Sequence, residues 1–353
     1  MESVVNSYKI NEISSSIEKY FTEDTLFFDI ECTGLSPRKS FIYLIGFASR
    51  VGNKIEITQL LAENEADEIN LLIEFNNILT QYNRLIGYNS TRFDENFILE
   101  RCKKYGCDTP IKSKKHIDMY LCATKAKVLL TLPNFKQKTI ENFLGLDRED
   151  IYDGGQLIPV YKKYSSEGHA KSKELVLLHN YEDVKGMIYI CDIFAYIDLL
   201  DSRILNINTE INDDSFSIDG DFDVSIKNSI NKMRDYGLYI IKGNHIHLSL
   251  NTFKGILYTW LEGHTSYYYI IKEDMIVPKS IGVSIDPSNR RNATKADCKV
   301  KKEDVFVRLP DRFVAPAGMR VFKADYKSKE LYVAASDFTE GLSEKIINFM
   351  LKH

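Results

Sequence analysis

The chain has 353 residues, 44 % of them hydrophobic and 27 % charged, with a formal net charge of −4; this describes a folded globular protein long enough for two domains and excludes a disordered chain. The slight acidic excess also excludes a protein that coats nucleic acid by bulk electrostatics, so any such contact must be local. Six cysteines, at 32, 102, 107, 122, 191 and 298, form no C-x-x-C pair, which fits reduced thiols better than a disulfide frame or a zinc site.

Residues 1–23 are expected to be an N-terminal extension. Met1 to Phe21 lacks an apolar stretch of signal-peptide length, and no segment approaches the ~20 apolar residues that span a bilayer. A cytoplasmic protein without a membrane partner is expected. Three strands are predicted next, at Thr25 to Glu31, Phe41 to Ala48 and Lys54 to Leu61, joined by turns short enough for antiparallel neighbours. A helix from Glu65 to Tyr82, a short strand "RLIGYN", a helix from Arg92 to Tyr105 and an extended "KHIDMYLCA" follow. Helices at Lys138 to Leu144, Leu157 to Tyr164 and Lys171 to Leu200 complete the first part. Three strands followed by alternating helices and strands predict an α/β domain with a mixed sheet over 24–201.

The segment 202–224, rich in Asp, Asn and Ser and weak in periodicity, is expected to be a linker. Beyond it, 225–353 is predicted as a mainly β C-terminal domain. "GLYIIKGNHIHLSLN" reads as a hairpin about Gly243-Asn244, "SYYYIIKEDMIVPKSIGVSID" and "EDVFVRLPDRFVA" as strands, and Ser343 to Lys352 as a closing helix. Basic residues crowd 290–320 downstream of Tyr267, Tyr268 and Tyr269. They fit either a single-stranded nucleic-acid surface or a solvated basic edge over a tyrosine core. His245 and His247 share a strand face, with no further ligand block beside them.

Several acids interrupt otherwise apolar patterns. In a strand alternate side chains share a face, so Phe27, Asp29 and Glu31 point one way and Leu26, Phe28 and Ile30 the other. Two neighbouring carboxylates belong either at a solvated sheet edge or, if buried, beside a compensating cation or protons. Asp94 heads a helical stripe through Phe97, Ile98, Arg101 and Cys102. Thr91 to Asp94 also fits a capping box, so capping and catalysis both remain open. In "ELVLLHNYEDVKGMIYICDIF", Leu175, His179, Asp183, Met187 and Cys191 recur at four-residue steps, placing His179 and Asp183 on one face. A buried His-Asp pair or an active site would each explain them. Asp118 in "HIDMYLC" fits a solvated strand end or an active-site role, and stands outside the core set.

"DIECTG", "YNSTRFD" and "HNYED", in this order over about 155 residues, resemble the three sequence blocks of the DEDD-type 3'-5' exonucleases with a ribonuclease H-like fold. The segment from Leu26 to Leu200, including "YLIGF" and "DIYDGGQLIPVY", is similar to the YprB-like branch of that superfamily. The resemblance implies that Asp29, Glu31, Asp94 and Asp183 bind two divalent cations, Mg²⁺ or Mn²⁺, and that the chain hydrolyses phosphodiester bonds at DNA or RNA 3' ends. Asp29 would bridge both ions, Glu31 and Asp183 complete one site, and Asp94 support the other. Family members usually carry His five positions before the last acid or Tyr four before it, whereas here His179 stands at the tyrosine spacing. His179 is therefore the candidate to orient or deprotonate the attacking water, since Tyr181 points elsewhere on the helix. Thr33, Gly34 and Leu35 are implied to contact the terminal nucleotide, and Asn89 to steady the neighbouring helix start. A ribonuclease H-like endonuclease and a non-catalytic nucleic-acid-binding module are the alternatives.

Overall fold

The run "TLFFDIEC" forms a strand buried on both faces in the computed structural model, which describes residues 1–10, 13–212 and 214–353. Two residues of the expected extension and one of the expected linker, 11, 12 and 213, lie outside the described residues. The chain divides into one unit of Met1–Asp201 with Ile226–Asn228, and a second of Ser202–Ser225 with Ser229–His353.

The first unit runs β1 (Glu2–Lys9), α1 (Ser15–Tyr20), β2 (Thr25–Cys32), β3 (Ile42–Val51), β4 (Lys54–Leu61), α2 (Glu68–Leu79), β5 (Arg84–Gly87) and α3 (Asp94–Tyr105). It continues with β6 (Lys115–Asp118), α4 (Met119–Ala123), α5 (Gln137–Leu144), α6 (Gly154–Glu167), α7 (Ala170–Tyr189) and α8 (Ile193–Asp198). The sheet order is β1-β4-β3-β2-β5-β6. Strands β1 to β4 pair antiparallel, while β5 lies parallel to both β2 and β6. The mixed sheet expected from the sequence is therefore present. Leu26, Phe28 and Ile30 of β2 pack with Leu71, Phe75, Phe97 and Ile98 of α2 and α3. A second cluster joins Tyr43, Leu44 and Leu61 to Leu157, Tyr161 and Val176 of α6 and α7. The sheet thus carries helices on both faces, as expected where a central strand is apolar on both sides.

A buried ion pair ties α2 to α3. Arg101 Nε donates to Glu68 Oε1 at 2.8 Å, and the same oxygen accepts from the Ile42 N–H of β3 at 2.8 Å. Arg101, an apparent member of an apolar stripe, is satisfied in this way.

Several expectations are corrected. The N-terminal residues are no extension: Glu2 to Lys9 pair in register with Leu61 to Lys54, because the open edge of β4 supplies free backbone groups. "KHIDMYLCA" is extended only to Asp118, whose carboxylate accepts from Tyr120 N and Leu121 N and starts α4. The helix predicted to reach Leu200 stops at Tyr189, tightens over Ile190–Asp192, and resumes as α8; the Ser14 hydroxyl donates to Asp192 at this break. The expected linker is strand, in β7 (Ile204–Ile211) and β8 (Ser215–Arg234).

The second unit continues with β9 (Gly237–Trp260), β10 (Tyr267–Ile270), β11 (Met275–Pro278), α9 (Lys279–Gly282), β12 (Arg290–Asn292), β13 (Lys299–Arg308), β14 (Tyr332–Ala334) and α10 (Glu340–Lys352). Its sheets have the orders β14-β13-β9-β8-β7 and β11-β10-β12. The hairpin expected at Gly243-Asn244 is absent, since β9 passes straight through that pair; Gly243 takes φ +61° inside the strand. The reversal lies instead between Arg234 and Gly237. His245 and His247 are accounted for by contacts with carboxylates, His245 Nδ1 to Asp221 at 3.0 Å and His247 Nδ1 to Asp219 at 2.8 Å.

Candidate active site

Strand alternation puts Asp29 and Glu31 on the face of β2 that meets α7. Asp29 Oδ2 accepts from Asn180 Nδ2 at 3.0 Å, and Asn180 Oδ1 accepts from Gln59 Nε2 of β4 at 3.0 Å. Asn180 can approach because residue 46 of β3 is glycine: a Cβ there would stand 1.9 Å from Asn180 Oδ1. Glu31 is buried, with the Tyr43 hydroxyl 3.5 Å from Oε2, and Tyr43 is held by stacking on Tyr161 at 3.9 Å.

Asp94 arrives from the start of α3. Its Oδ1 accepts from the Ile30 N–H at 3.2 Å, which pins it to the end of β2 between the two acids of that strand. The capping box is not formed: Phe93 occupies the cap without a side-chain bond, and the Thr91 hydroxyl donates to Asp118 Oδ2 at 2.6 Å. Asp118 is not a solvated strand end. It is buried, accepting from Asn89 N at 3.0 Å and Thr91 N at 3.2 Å, and so fixes the loop that leads to Asp94. Asn89 takes φ 59° in this loop, a left-handed position that Asn tolerates well.

The four-residue step along α7 brings His179 and Asp183 to the same place. Glu31, His179 and Asp183 each offer a ligand atom, all within 4.8 Å of one another. His179 Nε2 lies 3.4 Å from Glu31 Oε1 and 3.2 Å from Asp183 Oδ2. Its other nitrogen, Nδ1, is 2.7 Å from Asp150 Oδ2. Asp150 is held toward its ionised, accepting form, so Nδ1 donates to it, while Nε2 faces Glu31, which burial displaces toward protonation, and Asp183. Arg148 donates to Asp183 Oδ1 at 2.6 Å and to Glu141 Oε2 at 2.9 Å, orienting Asp183 from behind.

The electrostatics of this cluster are those of crowded, desolvated acids. Burial, then the charges of Asp94, Asp183 and Glu31, push Asp29 well above the usual carboxylate range. Burial, then Asp183 and Asp94, do the same to Glu31. Burial lifts Asp94 to about 7, against the opposing Ile30 N–H bond. Asp150 behaves differently: burial would raise it, but the Tyr152 N–H, His179 and Lys138 together hold it below the usual range. Three carboxylates displaced toward protonation, beside an imidazole nitrogen turned toward them, form a donor set that a hard divalent cation satisfies. The residues of this cluster therefore fit such an ion.

Asp29, Glu31, Asp94, His179 and Asp183 are brought together. Of the residues expected to contact substrate, Leu35 is 87 % exposed, whereas Thr33 Oγ1 accepts from Phe41 N at 3.1 Å and Gly34 packs against Ser40. Sequence reasoning missed Asp150, Arg148 and Asn180. Asp150 and Arg148 precede α6 in an aperiodic stretch, and nothing in their spacing points to α7. Asn180 neighbours His179, and that adjacency is its only signal in the sequence.

Residues 26–195 match the family model of the RNase_H superfamily. No curated protein matches the sequence. Among solved structures, the family B DNA polymerase from the hyperthermophilic archaeon Pyrobaculum calidifontis is 11 % identical at a TM-score of 0.40, over 93 % of this chain and 41 % of that one. An exonuclease I structure is 10 % identical at a TM-score of 0.35, over 56 % of this chain and 55 % of that one. The zinc-bound complex of E. coli exonuclease I with single-stranded DNA is 12 % identical at 0.34, over 50 % of this chain and 42 % of that one. The chain thus spans roughly half the length of the structures it matches, or less. Residues 26–195 form a ribonuclease H-like α/β domain, followed by a mostly β region.

Proposed function

We propose that the ribonuclease H-like domain is a metal-dependent 3'-5' exonuclease of the DEDD type, in the YprB-like branch, acting on DNA or RNA ends. The observation that carries this reading is the convergence of Asp29, Glu31, Asp94 and Asp183 on one buried spot with His179 Nε2 turned into it. In this reading the four acids hold two divalent cations, Mg²⁺ or Mn²⁺. When bound, such ions stabilise charge on the phosphoryl oxygens and on the attacking and departing oxygens.

The chain's own residues do the rest. Asp150 holds His179 Nδ1–H, so Nε2, which faces Glu31 and Asp183, is the nitrogen that would take a proton from the attacking water. Arg148 binds one oxygen of Asp183 and leaves the other toward His179. Asn180 fixes Asp29 in the same way, and Asp118 holds the loop before Asp94. In this reading exposed Leu35 would meet a terminal base, with Thr33 and Gly34 shaping its turn and Asn89 the start of α3.

The test incubates the chain with 5'-labelled and 3'-labelled single-stranded DNA and RNA in Mn²⁺, beside the double variant Asp29→Ala, Asp183→Ala. Stepwise loss from the 3' end, absent in the variant, is expected. Internal cuts would make the domain an endonuclease, and metal binding without any cleavage would make it a binding module. Asp150→Asn is expected to lower kcat roughly 10- to 100-fold with little change in KM, because an amide can stabilise the other imidazole tautomer. A melting curve taken alongside separates this from a loss of fold, since Asp150 also binds Lys138. An unchanged kcat would remove His179 from proton transfer.

A further inference from the structure

The second unit carries an aromatic and basic surface that the catalytic reading does not use. In the pairing of β9 with β13, Trp260 lies opposite Lys299 and Tyr258 opposite Lys301, so all four side chains share one face. Lys299 Nζ sits 5.5 Å over the Tyr258 ring. The Trp260 indole N–H donates to Ala296 O at 3.1 Å, and Tyr326 meets its ring edge-on at 5.6 Å. The surface continues through Asp274, which is 3.7 Å from Lys299 Nζ and accepts from the Tyr269 hydroxyl at 2.7 Å. The Arg291 guanidinium lies 4.2 Å from the Tyr269 ring centre and is clamped by both oxygens of Asp297, at 2.6 and 2.8 Å.

None of these rings is buried: Tyr258, Trp260 and Tyr269 are half-buried and Tyr326 is exposed. A tyrosine core under a basic edge would bury them. Residues 251–330 carry 15 Lys and Arg against 10 Asp and Glu, a net +5 in a chain of −4. Asp274 and Asp297 are already paired with members of the surface, so they position its cations and oppose an incoming anion less than free acids would.

We propose that this face of the second unit binds single-stranded nucleic acid, bases stacking on Trp260, Tyr258 and Tyr269 and phosphates meeting Lys299, Lys301 and Arg291. Trp260 and Tyr269, held by hydrogen bonds, and Tyr258, packed beside Trp260, offer bases a π-face without reading their edges, so binding is tolerant of sequence. The proposed function enters only in the choice of ligand class.

The experiment uses the full chain in EDTA, so that failure of the nuclease reading leaves the binding result intact. Trp260 is the one tryptophan of the chain, and its emission reports this surface directly. A short oligo(dT) at low salt is expected to quench it, whereas inorganic polyphosphate, which has charge but no rings, is expected to bind without quenching. Lys299→Ala with Lys301→Ala is expected to weaken binding about tenfold and to reduce the slope of log K against log salt by roughly 1.4. Tyr258→Ala, read by anisotropy of a labelled oligo(dT), is expected to weaken binding at least about fivefold. The lysine pair is exposed, Lys299 at 39 %, so that variant keeps the test valid if Tyr258→Ala unfolds. Absence of quenching, equal quenching by polyphosphate, or binding indifferent to the lysine pair would overturn the proposal.

Discussion

Asp29→Asn is expected to abolish metal-dependent cleavage, by on the order of a thousandfold or more, while raising the melting temperature of the metal-free protein. Both effects come from one charge. In the metal-free fold Asp29 is desolvated and faces Asp94, Asp183 and Glu31, so its ionised form is disfavoured. An amide of the same shape keeps the bond from Asn180 Nδ2, through its own oxygen, and removes the repulsion. A gain of about 0.5 to 2 kcal/mol follows the general trade between stability and function at a strained site. In the proposed reading the same change also deletes a ligand of the divalent cations. Calorimetric melting in EDTA, beside the cleavage assay, checks both. Loss of activity with a fall in stability would show that the carboxylate is a structural partner, and retained activity would exclude it as a ligand.

The second large effect is a pH dependence that a divalent cation reverses. Asp94 rises from 3.8 to about 7 in the fold, and Asp29 and Glu31 are displaced in the same direction. Between about pH 4 and about pH 7 the folded chain therefore retains protons that the unfolded chain has lost, and the free energy of unfolding falls as pH rises. For Asp94, which is 4 % exposed, the displacement corresponds to as much as about 4 kcal/mol across that window. A cation binds the deprotonated acids, so its stabilisation should be near zero at the acid end and grow toward neutrality. Melting temperatures across this range, with EDTA and with Mn²⁺, measure it. Acids such as Asp150 are held low and contribute the opposite slope, so the informative quantity is the difference between wild type and Asp94→Asn. If that difference is flat with pH, or if Mn²⁺ stabilises equally at both ends, the cluster is not a cation site.

The sequence by itself determined the features that depend on neighbours within one element. Alternation in β2 put Asp29 and Glu31 on one face, and the four-residue step in α7 put His179 and Asp183 on another, because backbone geometry sets those directions locally. The order of strands and helices was legible for the same reason, and so was the mixed sheet. Tertiary structure decided what lay across elements. In the sequence Asp94 fits both a cap and a site acid, and only the Ile30 N–H, 64 residues away, holds its carboxylate at the end of β2. Asp150 and Arg148 had no periodic signal, and they reach His179 and Asp183 only because the loop before α6 folds back on α7. Asn180 needs both the missing Cβ of Gly46 and the amide of Gln59. The first strand and β7 escape the sequence because exposed edge strands need no apolar alternation; their backbone groups are satisfied by a partner strand that composition does not reveal.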